Sequence, residues 1–383
     1  MAFTQTDPNP FWVPKTSFPK LSGNKKADIA VVGGGMAGVI SAVHLQEHGY
    51  DVVLLEQSKV CYGATGSSSG ILYFGSGTDF QTAIKLFGEK KAKLLWNETK
   101  KSIGKIQSLA EKNNIECGLR KPGTIIVARN EEEKKILEEE ERAMKRLGYA
   151  GKMLSKSDIK SVYSGKEFPA GLQQDYCSQI KPGLFAVGLA QKMRVNVFEN
   201  SPMKELNETR NGAIVKTPDG SIECGKVVVA SNINPFYGLE KNFVIESSTI
   251  IPSVELGKRL DKLWIADKIF WTPDEHYDIF YQHDNRAFLE LYRLKGAKEK
   301  MLQYFPPDIS FELNKQWGSV WAKTRDWLPI VGKVKENIYS AIAVGDQGIV
   351  IGFTAGRKIV KAVEGKKDEL LEMFSPQRFQ TTA

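Results

Sequence analysis

The sequence predicts an α/β chain in two halves. One is a Rossmann-like dinucleotide-binding domain; the other is an α+β domain on an antiparallel or mixed sheet. Three observations lead there. Residues 28–56 read as strand, glycine turn, helix, strand. Residues 337–356 return to an apolar strand, a glycine loop and a helix. Between them, from about 236 to 317, short runs rich in Ile, Phe, Tyr and Trp alternate with polar turns.

Asp28-Ile29-Ala30-Val31-Val32 is a short apolar run of the kind a buried parallel strand requires. Gly33-Gly34-Gly35-Met36-Ala37-Gly38 follows at once and fits G-x-G-x-x-G. The first glycine makes the tight turn, the second lets backbone approach a pyrophosphate, and the third lets the helix pack close to the strand. The helix runs from about Met36 to Gln46, with Val39, Ala42, Val43 and Leu45 facing the sheet and Gly49 as its stop. Asp51–Glu56 is the second strand. Its closing acid, Glu56, lies 23 positions after Gly33, close to the offset of a ribose-binding carboxylate. A carboxylate there accepts both ribose hydroxyls and repels a 2′-phosphate, which disfavours NADP.

The remaining elements follow in order. Residues 1–27 form an arm that packs Phe11 and Trp12 onto the body. Residues 61–70, Cys-Tyr-Gly-Ala-Thr-Gly-Ser-Ser-Ser-Gly, make a small-residue loop suited to a flat ligand. Residues 86–111 and 131–147 are helical. The second carries Glu131/Lys135, Glu138/Arg142 and Glu141/Lys145 pairs and reads as a solvated face without function. Residues 182–193 are helical and 195–198 extended. Residues 214–217 with the Asp219-Gly220 turn suggest a hairpin, and 226–232 a second buried strand. Residues 269–271, 277–281 and 287–291 supply the antiparallel sheet; 337–344, the loop Gly345-Asp346-Gln347-Gly348 and a helix from Ile349 close the chain. The dinucleotide-binding domain is assigned residues 28–85, 150–234 and 318–383, and the second domain 86–149 and 235–317.

Composition narrows the classes. A chain of 383 residues exceeds one small core, and 42% hydrophobic with 26% charged residues is ordinary for a globular protein. No apolar run reaches the roughly 18 residues of a membrane span, and the first fifteen residues show no secretory pattern. Cys61, Cys117, Cys177 and Cys224 are scattered without a C-x-x-C, favouring reduced thiols in a cytoplasm over disulfides or a metal site. The net charge of +8 comes from dispersed lysines and does not point to nucleic acid.

Four motifs in order resemble the D-amino-acid oxidase superfamily of FAD-dependent amine oxidoreductases, nearest the γ-glutamylputrescine oxidase, glycine oxidase and sarcosine oxidase group. They are Gly33–Glu56; Gly63-Ala64-Thr65-Gly66; the Val227–Asn232 strand; and Trp317-Gly318 through Thr324-x-Asp326-x-x-Pro329-x-x-Gly332 to Gly345-x-x-Gly348. The resemblance implies a glutathione-reductase-type FAD domain with a discontinuous substrate domain. Gly33, Gly35, Met36, Ala37 and Gly38 would hold the pyrophosphate of an extended FAD, Glu56 and Gln57 the adenosine ribose, and Met203 the adenine. Thr65, Gly66, Ser67, Ser68 and Ser69 would line the flavin. Gly345, Asp346, Gln347, Gly348 and Ile349 would sit by its pyrimidine side, where the last helix's N-terminus favours an anionic reduced ring. Ser319 falls where relatives carry a flavin-linking cysteine, so the FAD is expected to be non-covalent.

The chain departs from the family pattern at Ser67-Ser68-Ser69, Glu290-Leu291 and Ile349-Val350. Trp321 stands where glycine oxidase-like members grip the substrate carboxylate with arginine. That change favours an amine, polyamine derivative or N-substituted amine over an α-amino acid. Tyr281 and Trp321 are the candidate catalytic, substrate-facing aromatics, set against ordinary core packing. His276 and His283 read as solvated loop residues, His44 as packing, Arg286 as structural, and Asp326 as ordering the 317–332 segment. No metal site is expected. The implied reaction moves a hydride from the carbon beside a neutral amine to flavin N5, the imine then hydrolyses, and oxygen or another acceptor takes the electrons. The alternatives are a flavoprotein acting on a modified tRNA base, a non-catalytic FAD-binding assembly protein and a plain NAD dehydrogenase.

Overall fold

A computed structural model describes residues 13–234, 236–292, 294 and 296–379; the expected packing of Phe11 and Trp12 lies outside them. Among the described residues the strands form two eight-stranded sheets and one two-stranded pair. The first sheet runs Ile330–Lys335, Ile338–Ile342, Gly220–Val229, Gly23–Val32, Val52–Leu55, Asn196–Phe198. Its central neighbours are parallel, with Ile29 opposite Val52 and Val32 opposite both Leu55 and Val229. Side chains alternate as the pleat demands. Ile29 and Val31 enter the core under the helices, while Ala30 and Val32 enter the core on the other face, with Val215 and Phe198. Burial on both faces explains why this strand is a continuous apolar run.

Two strands differ from expectation. Gly23–Val32 starts five residues earlier than expected, because its polar half pairs with Gly220–Cys224. The expected hairpin strand and the second buried strand are one element, Gly220–Val229, antiparallel to Gly212–Thr217 on one side and parallel to Gly23–Val32 on the other.

Helix Met36–Glu47 packs on helix Gly348–Val363. The contact is close: a Cβ on Gly356 would stand 2.8 Å from the Ala37 carbonyl oxygen and from Ile40 Cβ. The helix expected over 86–111 is two helices, Phe80–Phe87 and Glu89–Lys112, divided at Gly88, whose φ of 81° suits glycine. Helix Glu131–Arg146 is not wholly solvated. Its Glu141–Lys145 pair forms at 2.7 Å, but Glu133 and Glu140 are buried.

The second sheet runs Trp317–Thr324, Phe243–Pro252, Arg286–Leu291, Ile279–His283, Ile269–Trp271, Thr124–Ala128, Ala170–Gln174, Lys152–Ser155. It is antiparallel except where Ile269–Trp271 runs parallel to Thr124–Ala128. Lys152–Ser155, Ala170–Gln174 and all of strand Trp317–Thr324 but its first residue, expected with the dinucleotide-binding half, hydrogen-bond into this sheet instead. One face buries Phe270 stacked on Phe280 at 4.9 Å, beside Tyr163, Trp264 and Tyr304. No helix of the described residues is long and apolar enough to cross a membrane.

Candidate active site

A cavity of about 1310 Å³ is lined from both sheets. Its first wall is the glycine turn. Gly33 takes a φ of 110° and donates to the Leu55 carbonyl at 2.8 Å; a Cβ there would lie 2.5 Å from the Ala230 carbonyl oxygen. Gly34 donates to Glu56 Oε2 at 2.7 Å. Gly35 caps helix Met36–Glu47 without a side chain, and Met36 N–H donates to Thr65 Oγ1 at 3.0 Å. The helix's positive end therefore meets the cavity through backbone alone, the arrangement that receives a phosphate.

Burial pushes the Glu56 carboxyl up, and the Ser58 and Gly34 N–H donors oppose that shift. The carboxylate accepts the Gly34 N–H on Oε2, the Ser58 N–H on Oε1 at 2.8 Å and a further N–H from Gln57, and its two oxygens keep acceptor capacity for a hydroxyl. Gln57 and Met203 line the same end, and Ser201 N–H donates to the Glu56 carbonyl at 2.8 Å.

Of the expected cofactor positions, Gly33, Gly35, Met36, Ala37, Glu56, Gln57, Thr65, Ser68, Ser69, Met203 and Gly345 to Ile349 line the cavity. Gly38, Gly66 and Ser67 do not. Gly38 lets the helix approach the strand, since a Cβ would fall 1.8 Å from the Gly33 carbonyl oxygen. Gly66 packs on Cys61, whose carbonyl oxygen would be 2.0 Å from a Cβ. Ser67 is fully buried behind the lining, its hydroxyl donating to that of the lining residue Ser319 at 3.2 Å, while its carbonyl accepts Trp317 Nε1 at 3.0 Å.

The opposite end is aromatic and acidic. Trp321 lines it, with its ring edge-on to Tyr292 at 5.5 Å. Tyr281 does not. It is fully buried beyond the cavity, stacked on Phe288 at 5.2 Å, and its hydroxyl has no hydrogen-bond partner among the described residues. Its place is taken by two tyrosines the sequence reading missed. Tyr277 and Tyr292 donate to Asp346 Oδ2 at 2.6 and 2.8 Å, and Gln347 N–H donates to Oδ1 at 2.7 Å. Burial pushes Asp346 up, and the two tyrosine donors oppose that shift. Glu290 also lines this end and was missed as a site residue. An acid inside the apolar run Ala287–Leu291 was the available signal.

The other candidates fall outside the cavity. Arg286 ion-pairs with Glu312 and Glu255 and donates to the Ser253 carbonyl at 2.6 Å, a structural role. Asp326 orders its segment, accepting Thr324 Oγ1 at 2.6 Å and Arg378 Nε at 2.8 Å. His283 is not solvated as expected; burial pushes its imidazole down beside Asp284. All four cysteines are buried and unbridged, and no cluster able to hold a metal occurs among the described residues.

Residues 28–362 match the family described as DAO, FAD dependent oxidoreductase. The γ-glutamylputrescine oxidoreductase of Escherichia coli is 27% identical over 371 residues, spanning 91% of this chain and 86% of that protein. A probable oxidoreductase, OrdL, of Haemophilus influenzae is 26% identical over 388 residues, spanning 93% and 87%. The crystal structure of glycine oxidase from Geobacillus kaustophilus superposes with a TM-score of 0.77 at 17% identity, covering 92% of this chain and 98% of that one. The matched region carries both glycine turns and the strands that frame the cavity, and the chain belongs to the DAO family of FAD-dependent oxidoreductases.

Proposed function

We propose that this protein oxidises the C–N bond of an amine, with non-covalent FAD lying from Glu56 to the Asp346 loop. The carrying observation is that one cavity joins the Gly33–Gly35 turn to a wall of Trp321, Tyr292, Tyr277 and Glu290. A bound FAD would supply the hydride acceptor for the carbon bearing the amine, and water would hydrolyse the imine released. Gly33, Gly34 and the start of helix Met36–Glu47 would hold its pyrophosphate, Glu56 its ribose, and Gly345–Ile349 its ring. The fit rests on the glycine turn, where the φ of Gly33 and its close approach to the Ala230 carbonyl exclude a side chain, and on Glu56, whose oxygens retain acceptor capacity.

The aromatic wall would exclude water and orient the substrate, which supplies much of the rate of a reaction that needs little acid–base chemistry. An amine is favoured over an α-amino acid because Trp321 replaces the arginine expected there, and because Glu290 and Asp346 would repel a carboxylate. The name of the Escherichia coli relative supports the same preference. Ser319, bonded to Ser67, supports non-covalent attachment. The four buried, unbridged thiols support a reducing, cytoplasmic setting. Anaerobic mixing of the yellow protein with a panel of amines and amino acids tests the reading. Bleaching of the flavin absorbance by an amine is expected, and no bleaching by any member of the panel would sink it.

A further inference from the structure

Glu290 is the unusual residue of the cavity. It sits in strand Arg286–Leu291, opposite Ile250 and Ile279, and is 7% exposed. The Ser248 hydroxyl donates to Oε1 at 2.7 Å; burial pushes the carboxyl up, and the Ser248 and Ser69 hydroxyls oppose that shift. Glu290 lines the cavity, and among the described residues its Oε2, shielded from solvent, has no hydrogen-bond partner. A carboxylate oxygen removed from water and left without a donor is costly. Something that donates to it therefore belongs there.

The surroundings specify the donor's charge. Asp346 is close enough to oppose ionisation of Glu290, and its own oxygens are taken by Tyr277, Tyr292 and the Gln347 N–H. Lys323, which favours the charged form of Asp346, is engaged elsewhere. It pairs with Glu246 at 3.4 Å and Glu275 at 3.7 Å, and lies 3.8 Å over the Trp327 ring. Among the described residues lining the cavity the one basic side chain is Lys204, next to Met203 at the other end. Two buried acids thus share the aromatic end without a described cation between them. The rings of Trp321 and Tyr292, perpendicular to each other, add faces that attract an organic cation.

We propose that Glu290, walled by Trp321 and Tyr292, is the subsite that receives the ammonium group of a substrate: the non-reacting end of a diamine, or a primary alkylammonium that passes its proton to the Glu290 carboxylate before its carbon is oxidised. The substrate's N–H donors meet the Glu290 carboxylate at the cavity wall, and its charge balances the pair of acids. This rests on the amine reading of the cavity, but binding can be measured without turnover.

The test uses holoprotein and tert-butylammonium, which has no hydrogen on the carbon bearing nitrogen and cannot be oxidised. Saturable perturbation of the flavin visible spectrum is expected with tert-butylammonium and not with its neutral isostere tert-butanol. Glu290→Gln should weaken that binding at least about tenfold, with FAD content and the ligand-free spectrum unchanged. Should that variant fail to fold, Ser248→Ala, which removes a donor that favours the charged form of Glu290, should still weaken binding measurably. Equal affinity in wild type and Glu290→Gln would overturn the subsite, as would no perturbation in wild type, or an altered ligand-free spectrum placing Glu290 on the flavin instead. Absence of amine turnover with Glu290-dependent tert-butylammonium binding would remove the oxidation reading and leave the subsite standing.

Discussion

Glu56 Oε2 accepts the Gly34 N–H at 2.7 Å, so the acid ending the second strand and the middle of the glycine turn form one unit. Truncation at Glu56 removes both this brace and the expected ribose contact. Glu56→Ala should weaken FAD binding by about 2 kcal/mol, roughly thirtyfold. Fluorescence quenching of FAD on reconstituted apoprotein measures it, and an unchanged dissociation constant would refute the assignment.

Gly38 contributes through packing alone. A methyl group there would meet the Gly33 carbonyl oxygen at 1.8 Å, so helix and turn must separate. Gly38→Ala should lower stability by about 1–3 kcal/mol and release FAD, although residue 38 does not line the cavity. Urea unfolding and flavin content of the purified variant check both effects.

Tyr281 and Tyr292 should respond oppositely to loss of a hydroxyl. The Tyr281 hydroxyl is buried without a partner among the described residues, whereas that of Tyr292 holds Asp346 at 2.8 Å. Tyr281→Phe should leave kcat/KM within about twofold and stability unchanged or about 1 kcal/mol higher. Tyr292→Phe should lower kcat/KM with the amine that bleaches the flavin. Steady-state kinetics on the two variants together decide; a larger loss in Tyr281→Phe would return that residue to the site.

Glu140 gives stability a pH dependence of unusual sign. It accepts the Phe80 N–H at 2.8 Å and the Gln81 N–H at 3.2 Å, and burial, with Asp79 nearby, pushes its carboxyl up to about 7 from 4.5. Between those pH values the folded state holds a proton that the unfolded chain releases. This group's contribution therefore falls as pH rises, by up to about 3 kcal/mol at pH 7 and above. Glu140→Gln should gain on wild type by up to that amount between about pH 4.5 and pH 8 in urea unfolding. A difference independent of pH would show that Glu140 ionises normally.

The glycine turn, its helix and Glu56 were legible because their constraints are local: a φ of 110° at Gly33 and a close helix approach at Gly38 leave glycine signatures in the sequence. The aromatic wall was less so. Residues 277, 279 and 281 alternate onto one face, and nothing local says that the cavity ends before 281. Tyr277 therefore enters it while Tyr281 stacks on Phe288. Strand Lys152–Ser155 escaped notice because it is a short, mostly polar edge strand whose pairing is with Ala170–Gln174. Glu290 stood out only as a departure from relatives; its unpartnered oxygen needed three strands in place to be seen.

The glycine crossing of helix Gly348–Val363 over Met36–Glu47 has a consequence for biosynthesis. The dinucleotide cradle leaves a ribosome well ahead of Ile338–Ile342 and the helix that seal it, which follow more than 280 residues later. A nascent chain therefore holds half a clasp while those residues are made, and flavin capture must wait for them.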